Sequence, residues 1–230
     1  MSNARNLVTS EMAGNEAPYL RAVADSECVP AHVSAPTDDE IVAALRRRER
    51  WAARALYDEC HGIVERTLLR VLRSHDADLG DLLQVCFERL LRTVSRKRFT
   101  GAVSLKAWAS STAVHVALDE LRRRRRRSHM LHGDYDSLSL VAAADVLPAS
   151  AVERQLEARA DATRVQGILM RMKPEQAEAV VLHDVLGHEL VEVAALQGVS
   201  ITAAQSRLVR GRRELLRRAR AVLPAKEQKA

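Results

Sequence analysis

From Leu79 to Val94 the apolar residues of this chain recur at steps of three and four: Leu79, Leu82, Leu83, Cys86, Phe87, Leu90, Leu91 and Val94. That spacing collects them on one stripe of an α-helix, whereas a strand would send alternate members to opposite faces. The other side carries Asp78, Asp81, Gln84, Glu88, Arg89 and Arg92. Hydrophobic residues make up 47% of the chain but aromatics only 3%, so the core must be built from Leu, Val and Ala. Leu and Ala favour helix, and β-rich folds draw more on aromatic and β-branched residues. The chain therefore reads as all-α.

Start and stop signals divide it. Thr37 followed by Glu40 has the pattern of a capping box, opening a helix that carries Ile41, Leu45, Ala52, Ala55 and Leu56 on one side. A second helix holds Ile63, Val64, Thr67, Leu68, Val71 and Leu72, and the Leu79–Val94 stripe makes the third. After a loop over Phe99–Val103, Ser104 is placed to cap a fourth helix with Leu105, Trp108, Thr112, Val116 and Leu121. Periodicity lapses from Ser128 to about Ser150 and resumes from Val152 to Met172. Pro174 suits the first turn of the next helix, and Gly187 ends it. A short helix spans Glu189–Gln197, Gly198 permits a sharp turn, and Ser200 caps a last helix, Ile201 to about Val222. The expected organisation is two small helical domains: a disordered extension over 1–39 (with one short helix near Tyr19–Val23), a first domain over 40–128, a linker over 129–150, a second domain over 151–223 and a tail over 224–230.

Several function classes drop out. No Gly-rich phosphate loop, HExxH or G-x-S-x-G occurs, so no enzyme activity and no cofactor are expected. Cys28, Cys60 and Cys86 have no CxxC spacing and read as reduced thiols; Cys60-His61 lacks a second ligand pair for a metal. No apolar run approaches the roughly 20 residues a membrane span needs, and the N-terminus lacks a secretory pattern, so the expected compartment is the cytoplasm, without membrane insertion.

Two segments point to nucleic acid. Net charge is +6 with a pI near 9.6, which suits an anionic partner. Asp119-Glu120-Leu121 runs into six consecutive arginines, Arg122 to Arg127, which either grip phosphates or are simply solvated. The short helix, glycine turn and final helix follow the helix-turn-helix plan. Thr202, Gln205, Ser206 and Arg207 lie on its first turns, where Gln can pair with adenine and Arg with guanine; Arg210, Arg212 and Arg213 follow as phosphate contacts. An ordinary αα-hairpin with a basic face is the alternative. The acidic-to-neutral face of the third helix is unsuited to DNA. It suits a protein partner, or is a solvated face.

The order of these parts resembles the bacterial RNA polymerase sigma factors. Asp81-Leu82-Leu83-Gln84-Val85-Cys86-Phe87 is similar to the family's D-x-x-Q-x-x-F stretch. Ser104-Leu105-Lys106-Ala107-Trp108 with Ala117-Leu118-Asp119-Glu120-Leu121-Arg122-Arg123 is similar to the part that follows. Pro174-Glu175-Gln176, Asp184-Val185 with Gly187, and Gly198-Val199-Ser200 with Ser206-Arg207-Leu208 resemble the fourth sigma region. Second and fourth regions joined by a short linker are the layout of the extracytoplasmic-function (ECF) group, and the resemblance covers residues 40 to 220. It implies an alternative sigma factor that binds core RNA polymerase through the β′ clamp helices and the β flap, and directs initiation at selected promoters. Asp78, Asp81, Gln84, Phe87 and Glu88 would serve the polymerase contact. Trp108, His115, Asp119, Arg122, Arg123 and Arg124 would meet the minus-ten element. Thr202, Gln205, Ser206, Arg207, Arg210 and Arg212 would meet the minus-thirty-five element. An anti-sigma factor is a common partner in the family.

The chain also departs from the family. Val114-His115 stands where an Arg-Asn pair is usual, Ala203 and Gln205 where Thr and Lys are common, and Glu189 where Ser or Thr usually caps. These departures predict an unusual promoter preference or weak promoter opening. A free-standing helix-turn-helix regulator, and a sigma-like scaffold that no longer opens promoters, are the competing readings.

Overall fold

The structure, a computed structural model, describes residues 36–73, 78–96, 99–132 and 149–222. Thr37 starts helix α1, Asp38–Arg46, by the reciprocal bonds of a capping box: its hydroxyl accepts from the Glu40 N–H at 3.3 Å, and its own N–H donates to the Glu40 carboxylate at 2.8 Å. The helix does not continue to Leu56, as its apolar spacing suggested. Arg48 takes a left-handed φ of 61°, and the Arg48 and Glu49 N–H groups bond back to the Leu45 and Ala44 carbonyls. Helix α2, Arg50–Leu72, then runs unbroken and unites the two apolar stripes expected of separate helices.

Helix α3, Leu79–Ser95, and helix α4, Leu105–His132, complete the first unit. The start of α4 is satisfied twice. Ser104 Oγ accepts from the Ala107 N–H at 3.1 Å, and Asp38 on α1 accepts from the Leu105 N–H at 2.8 Å. Arg46 ties down the preceding loop by donating to the Phe99 carbonyl at 2.8 Å. α4 packs most extensively on α2. Ala109 and Ala113 on α4 are small enough to let that happen, and they meet Leu56, Val64 and Leu68 in a dry core shared with Cys86, Leu90 and Val94 of α3. Burial pushes the Cys60 and Cys86 thiols up to about 12, which keeps them protonated and unreactive.

The second unit comprises α5 (Ala149–Leu169), α6 (Pro174–Val180), a π-helical turn over Val181–Val185, α7 (Leu190–Leu196) and α8 (Ile201–Val222). Pro174 occupies the first turn of α6, where its missing N–H costs no intrahelical bond. Gly198, at φ 62°, makes the turn between α7 and α8. Gly211 is buried where α8 crosses α6; a Cβ there would lie 2.7 Å from Val180 Cγ2 and 2.8 Å from the Gln176 carbonyl oxygen. Leu182, Val193, Ala204 and Leu208 form the centre of this unit.

The two units touch. α4 packs against α6, the π-turn and α7, and Gln166 on α5 donates to the Val71 and Leu72 carbonyls at 2.8 and 2.7 Å, satisfying the C-terminal end of α2. Of the extension expected over 1–39, residues 1–35, with the short helix expected near Tyr19–Val23, lie outside the described residues, as do 133–148 of the linker expected over 129–150 and the tail over 224–230; Asp38 and Asp39 already belong to α1, and residues 129–132 and 149–150 belong to α4 and α5. Among the described residues there is no strand, no group of side chains that could hold a metal ion, and no helix long and apolar enough to cross a membrane.

Candidate nucleic-acid and polymerase interfaces

The arginine run continues α4 without a break, and one carboxylate organises it. Glu120, whose side chain is 2% exposed, accepts from Arg123 Nε at 2.6 Å, Arg124 Nε at 2.9 Å and Arg127 at 3.2 Å. Burial alone would raise its pKa; the bonds from Arg123 and Arg124 outweigh it and hold the carboxyl below its usual range. Arg123, Arg126 and Arg127 keep exposed heads suited to phosphates. Arg122, expected among the DNA contacts, is only 19% exposed and leans on Asp119, which is shared with Arg89 of α3. Arg124 also approaches Asp78 at 3.9 Å. Trp108 is half-buried. Its ring meets Phe99 edge-on with centroids 5.7 Å apart, and its indole N–H points to Thr93 Oγ1 at 3.4 Å. It braces the start of α4 and is not an open stacking platform. His115 reaches away from the first unit: Nε2 lies 3.0 Å from Glu178 on α6, and Nδ1 lies 3.0 Å from the Ser111 carbonyl. The bond to Glu178 raises its pKa above the ordinary imidazole value, against the opposing effect of burial.

The outer face of α3 presents Asp81 and Glu88 to solvent, with Gln84 between them donating to Glu88 at 3.1 Å. Asp78 stands at the N-cap position without a capping bond. Phe87 does not share that face. Its ring is 3% exposed and packs on Tyr57 at 4.8 Å, because it belongs to the same helical stripe as Leu90 and Val94. It supports the face from within the core.

In the helix-turn-helix, the Glu189 carboxylate accepts from the Glu192 backbone N–H in place of the usual Ser or Thr, and the Glu189 N–H donates to the Glu192 carboxylate at 3.1 Å, which closes a capping box at the start of α7. Ser200 Oγ accepts from the Ala203 N–H at 3.2 Å and starts α8. Ala194 and Ala204 are buried and allow α7 and α8 to approach. Thr202, Gln205, Arg210 and Arg213 are exposed on α8, while Ser206 and Arg207 are half-buried. Gln197, which the sequence reading passed over, joins three elements: it donates to the Glu175 carbonyl of α6 at 3.0 Å and accepts from Arg207 at 3.0 Å. Arg212 is engaged too, donating to Asp184 at 2.9 Å, and that bond holds the Asp184 carboxyl low. Towards the end of α8, Arg217 and Arg218 pull Glu214 down to about 2, so their own charge is partly balanced.

Residues 56–127 match the family described as Sigma-70 region 2, and residues 162–215 match Sigma-70, region 4. The ECF RNA polymerase sigma factor SigM of Mycobacterium tuberculosis is 30% identical over 181 residues, covering 79% of this chain and 84% of SigM. The chain belongs to the ECF RNA polymerase sigma factors. SigE of Mycolicibacterium smegmatis is 34% identical over 143 residues, 62% of this chain and 51% of that protein. CarQ of Myxococcus xanthus, named an RNA polymerase sigma factor, is 31% identical over 152 residues, 66% and 80% of the two chains. Among solved structures, CnrH in complex with the cytosolic domain of CnrY aligns over 81% of this chain and 99% of its own, at 19% identity and a TM-score of 0.47. This sigma factor is thus a transcription initiation factor that works with core RNA polymerase on promoter DNA, and it is not an enzyme.

Glu120, Gln197, Gly211 and Glu178 escaped the sequence reading. Only Glu120 carried a local signal, since Arg123, Arg124 and Arg127 follow it at helical steps of three, four and seven.

Proposed function

We propose that the unit over residues 40–128 docks on core polymerase and meets the minus-ten element, while the unit over 151–223 reads the minus-thirty-five element. The observation that carries this is the pair Thr202 and Gln205, exposed on the first turns of a helix whose entry is capped by Ser200 and whose register is held by Gln197. Side chains at the start of such a helix are the ones that reach base edges in the major groove. Gln205 is suited to adenine, and Arg210 and Arg213 to flanking phosphates. The exposed heads of Arg123, Arg126 and Arg127 support backbone contacts beside the minus-ten element. The Asp81, Gln84 and Glu88 face is the one suited to the β′ clamp helices, and the second unit to the β flap. An anti-sigma factor would compete for these same surfaces. The protein would act in the cytoplasm, where core enzyme and promoter meet.

Run-off transcription with core enzyme and full-length protein on genomic fragments tests the reading. Discrete, protein-dependent start sites are expected, and their loss in Gln205→Ala with core association intact assigns that residue to promoter reading. Core enzyme that neither binds the protein nor changes its start sites would overturn the proposal.

A further inference from the structure

The side of α8 turned away from the protein body carries an apolar residue among its polar ones. Ala204, Leu208, Gly211 and Leu215 recur at steps of three and four and press α8 onto the rest of the unit; the first three are buried. On the far side of the helix a second line follows the same steps, Thr202, Gln205, Val209 and Arg213, and all four are exposed. Val209 is 45% exposed. Its outward aim is set from behind, because the close approach of Gly211 to the Gln176 carbonyl leaves α8 little freedom to rotate.

Valine is an unfavourable choice for such a position. Its branched side chain loses rotamer freedom against the preceding turn of a helix, and an outward site offers no buried surface in return. The other outward positions nearby hold Arg210, Arg212, Arg213 and Arg217. One exposed apolar side chain is ordinary on a protein surface, so it is the place of this one that matters. Val209 stands one turn beyond Gln205, about 6 Å along the axis, and just before the arginines suited to phosphates. It therefore belongs to the stretch that faces base edges. The major groove offers it one partner. Thymine alone displays an apolar group there, its C5-methyl, whereas cytosine presents an amino donor, adenine a donor and an acceptor, and guanine two acceptors. Valine pressed against any of those groups strips away water and returns no hydrogen bond.

We infer that Val209 selects a thymine, its methyl groups packing on the C5-methyl, within about two base pairs of the adenine suited to Gln205. That spacing follows from the roughly 6 Å between the two residues and a base step of about 3.4 Å. The thymine contact depends on α8 entering the minus-thirty-five element, as proposed above, and adds a base and the residue that selects it.

Deoxyuridine differs from thymidine only in lacking that methyl group, which makes it the probe. Promoters mapped by run-off transcription supply the duplexes. Holoenzyme assembled from core enzyme and the full chain is titrated against them, with each thymine of the minus-thirty-five element replaced singly by deoxyuridine. One replacement should weaken wild-type binding about fourfold, the value of one methyl group withdrawn from water. Val209→Ala should lose a similar factor on the thymine duplex and nothing further on the deoxyuridine duplex, the non-additivity of two groups in contact. Alanine favours helix more than valine does, so a loss of binding is not a loss of fold. Leu216→Ala trims another exposed apolar residue two turns further along and should keep the wild-type response. If no deoxyuridine replacement weakens wild-type binding, or if the one that does is equally effective in Val209→Ala, the thymine contact is overturned while the minus-thirty-five reading stands. If holoenzyme is indifferent to every base substitution across the element, the reading of α8 fails and the thymine contact fails with it.

Discussion

Glu120 accepts a 2.9 Å hydrogen bond from Arg124 Nε while remaining almost wholly out of water, and the same carboxylate holds Arg123 and Arg127. An arginine run that looks like a uniform patch of charge is therefore a built surface with one anionic centre. Glu120→Gln removes that centre and leaves three neighbouring guanidiniums to repel one another. Their heads are partly solvated, which screens the repulsion, so the expected loss is about 1–2 kcal/mol of unfolding free energy at neutral pH. Because the folded carboxyl lies below its usual range, its contribution is present above the ordinary Glu value and disappears as pH falls through the lower one. Urea unfolding of both proteins at neutral pH and near pH 3 should show the difference shrinking with acid. Equal stability at neutral pH would refute the arrangement.

Gly211 lets α8 touch the backbone of α6. Gly211→Ala places a methyl group 2.8 Å from a carbonyl oxygen that a rigid helix cannot withdraw, so the helices must separate. Overpacking of this kind costs about 1–3 kcal/mol. The gain in helix propensity from Ala is smaller, about 1 kcal/mol. Thermal unfolding should therefore show a destabilised second unit, with minus-thirty-five binding reduced. A rise in melting temperature would mean that the close approach is not made.

Arg212 and Arg210 sit two residues apart on α8 but are expected to behave differently. Arg212 already bonds Asp184, whereas Arg210 is exposed. Arg210→Ala should weaken binding to all DNA sequences alike and lower the slope of log affinity against log salt by about 1, the signature of one phosphate contact. Arg212→Ala should leave that slope nearly unchanged and instead release Asp184, raising its pKa towards the ordinary value. Titration of the Asp184 carboxyl by NMR in both variants separates the two roles.

What could be read in advance was local. The Thr37 and Glu40 pair, Pro174 and Ser200 are signals whose partners lie within one helical turn, and each starts a helix in the structure. The break between α1 and α2 was missed because the left-handed residue is Arg48, not glycine, and apolar spacing continues across it. The contacts joining the units were invisible for another reason. Ser110 and His188 are 78 residues apart, and Ser111 and Glu178 are 67 apart, so no periodicity links them. Phe87 shows the limit of motif reading, since a residue can belong to a functional stretch and still point into the core.

That distinction gives a further test on α3. Asp81 is exposed and Gln84 is held beside Glu88 at the surface, whereas Phe87 fills the space against Tyr57. Asp81→Ala and Gln84→Ala should change the unfolding free energy by no more than the small range usual for surface changes, about 0.5 kcal/mol. Both should weaken association with core polymerase, and the Asp81→Ala effect should be largest at low salt, where the acidic face steers the encounter. Phe87→Ala removes a buried ring and should cost about 3–5 kcal/mol of stability. Its effect on polymerase binding should then follow the fraction of protein that remains folded and vanish when compared at equal folded concentration. Binding measured by titrating labelled core enzyme, beside unfolding curves for all three variants, distinguishes contact from support. Loss of core affinity in Phe87→Ala beyond its loss of fold would show that the ring leaves the core when polymerase binds.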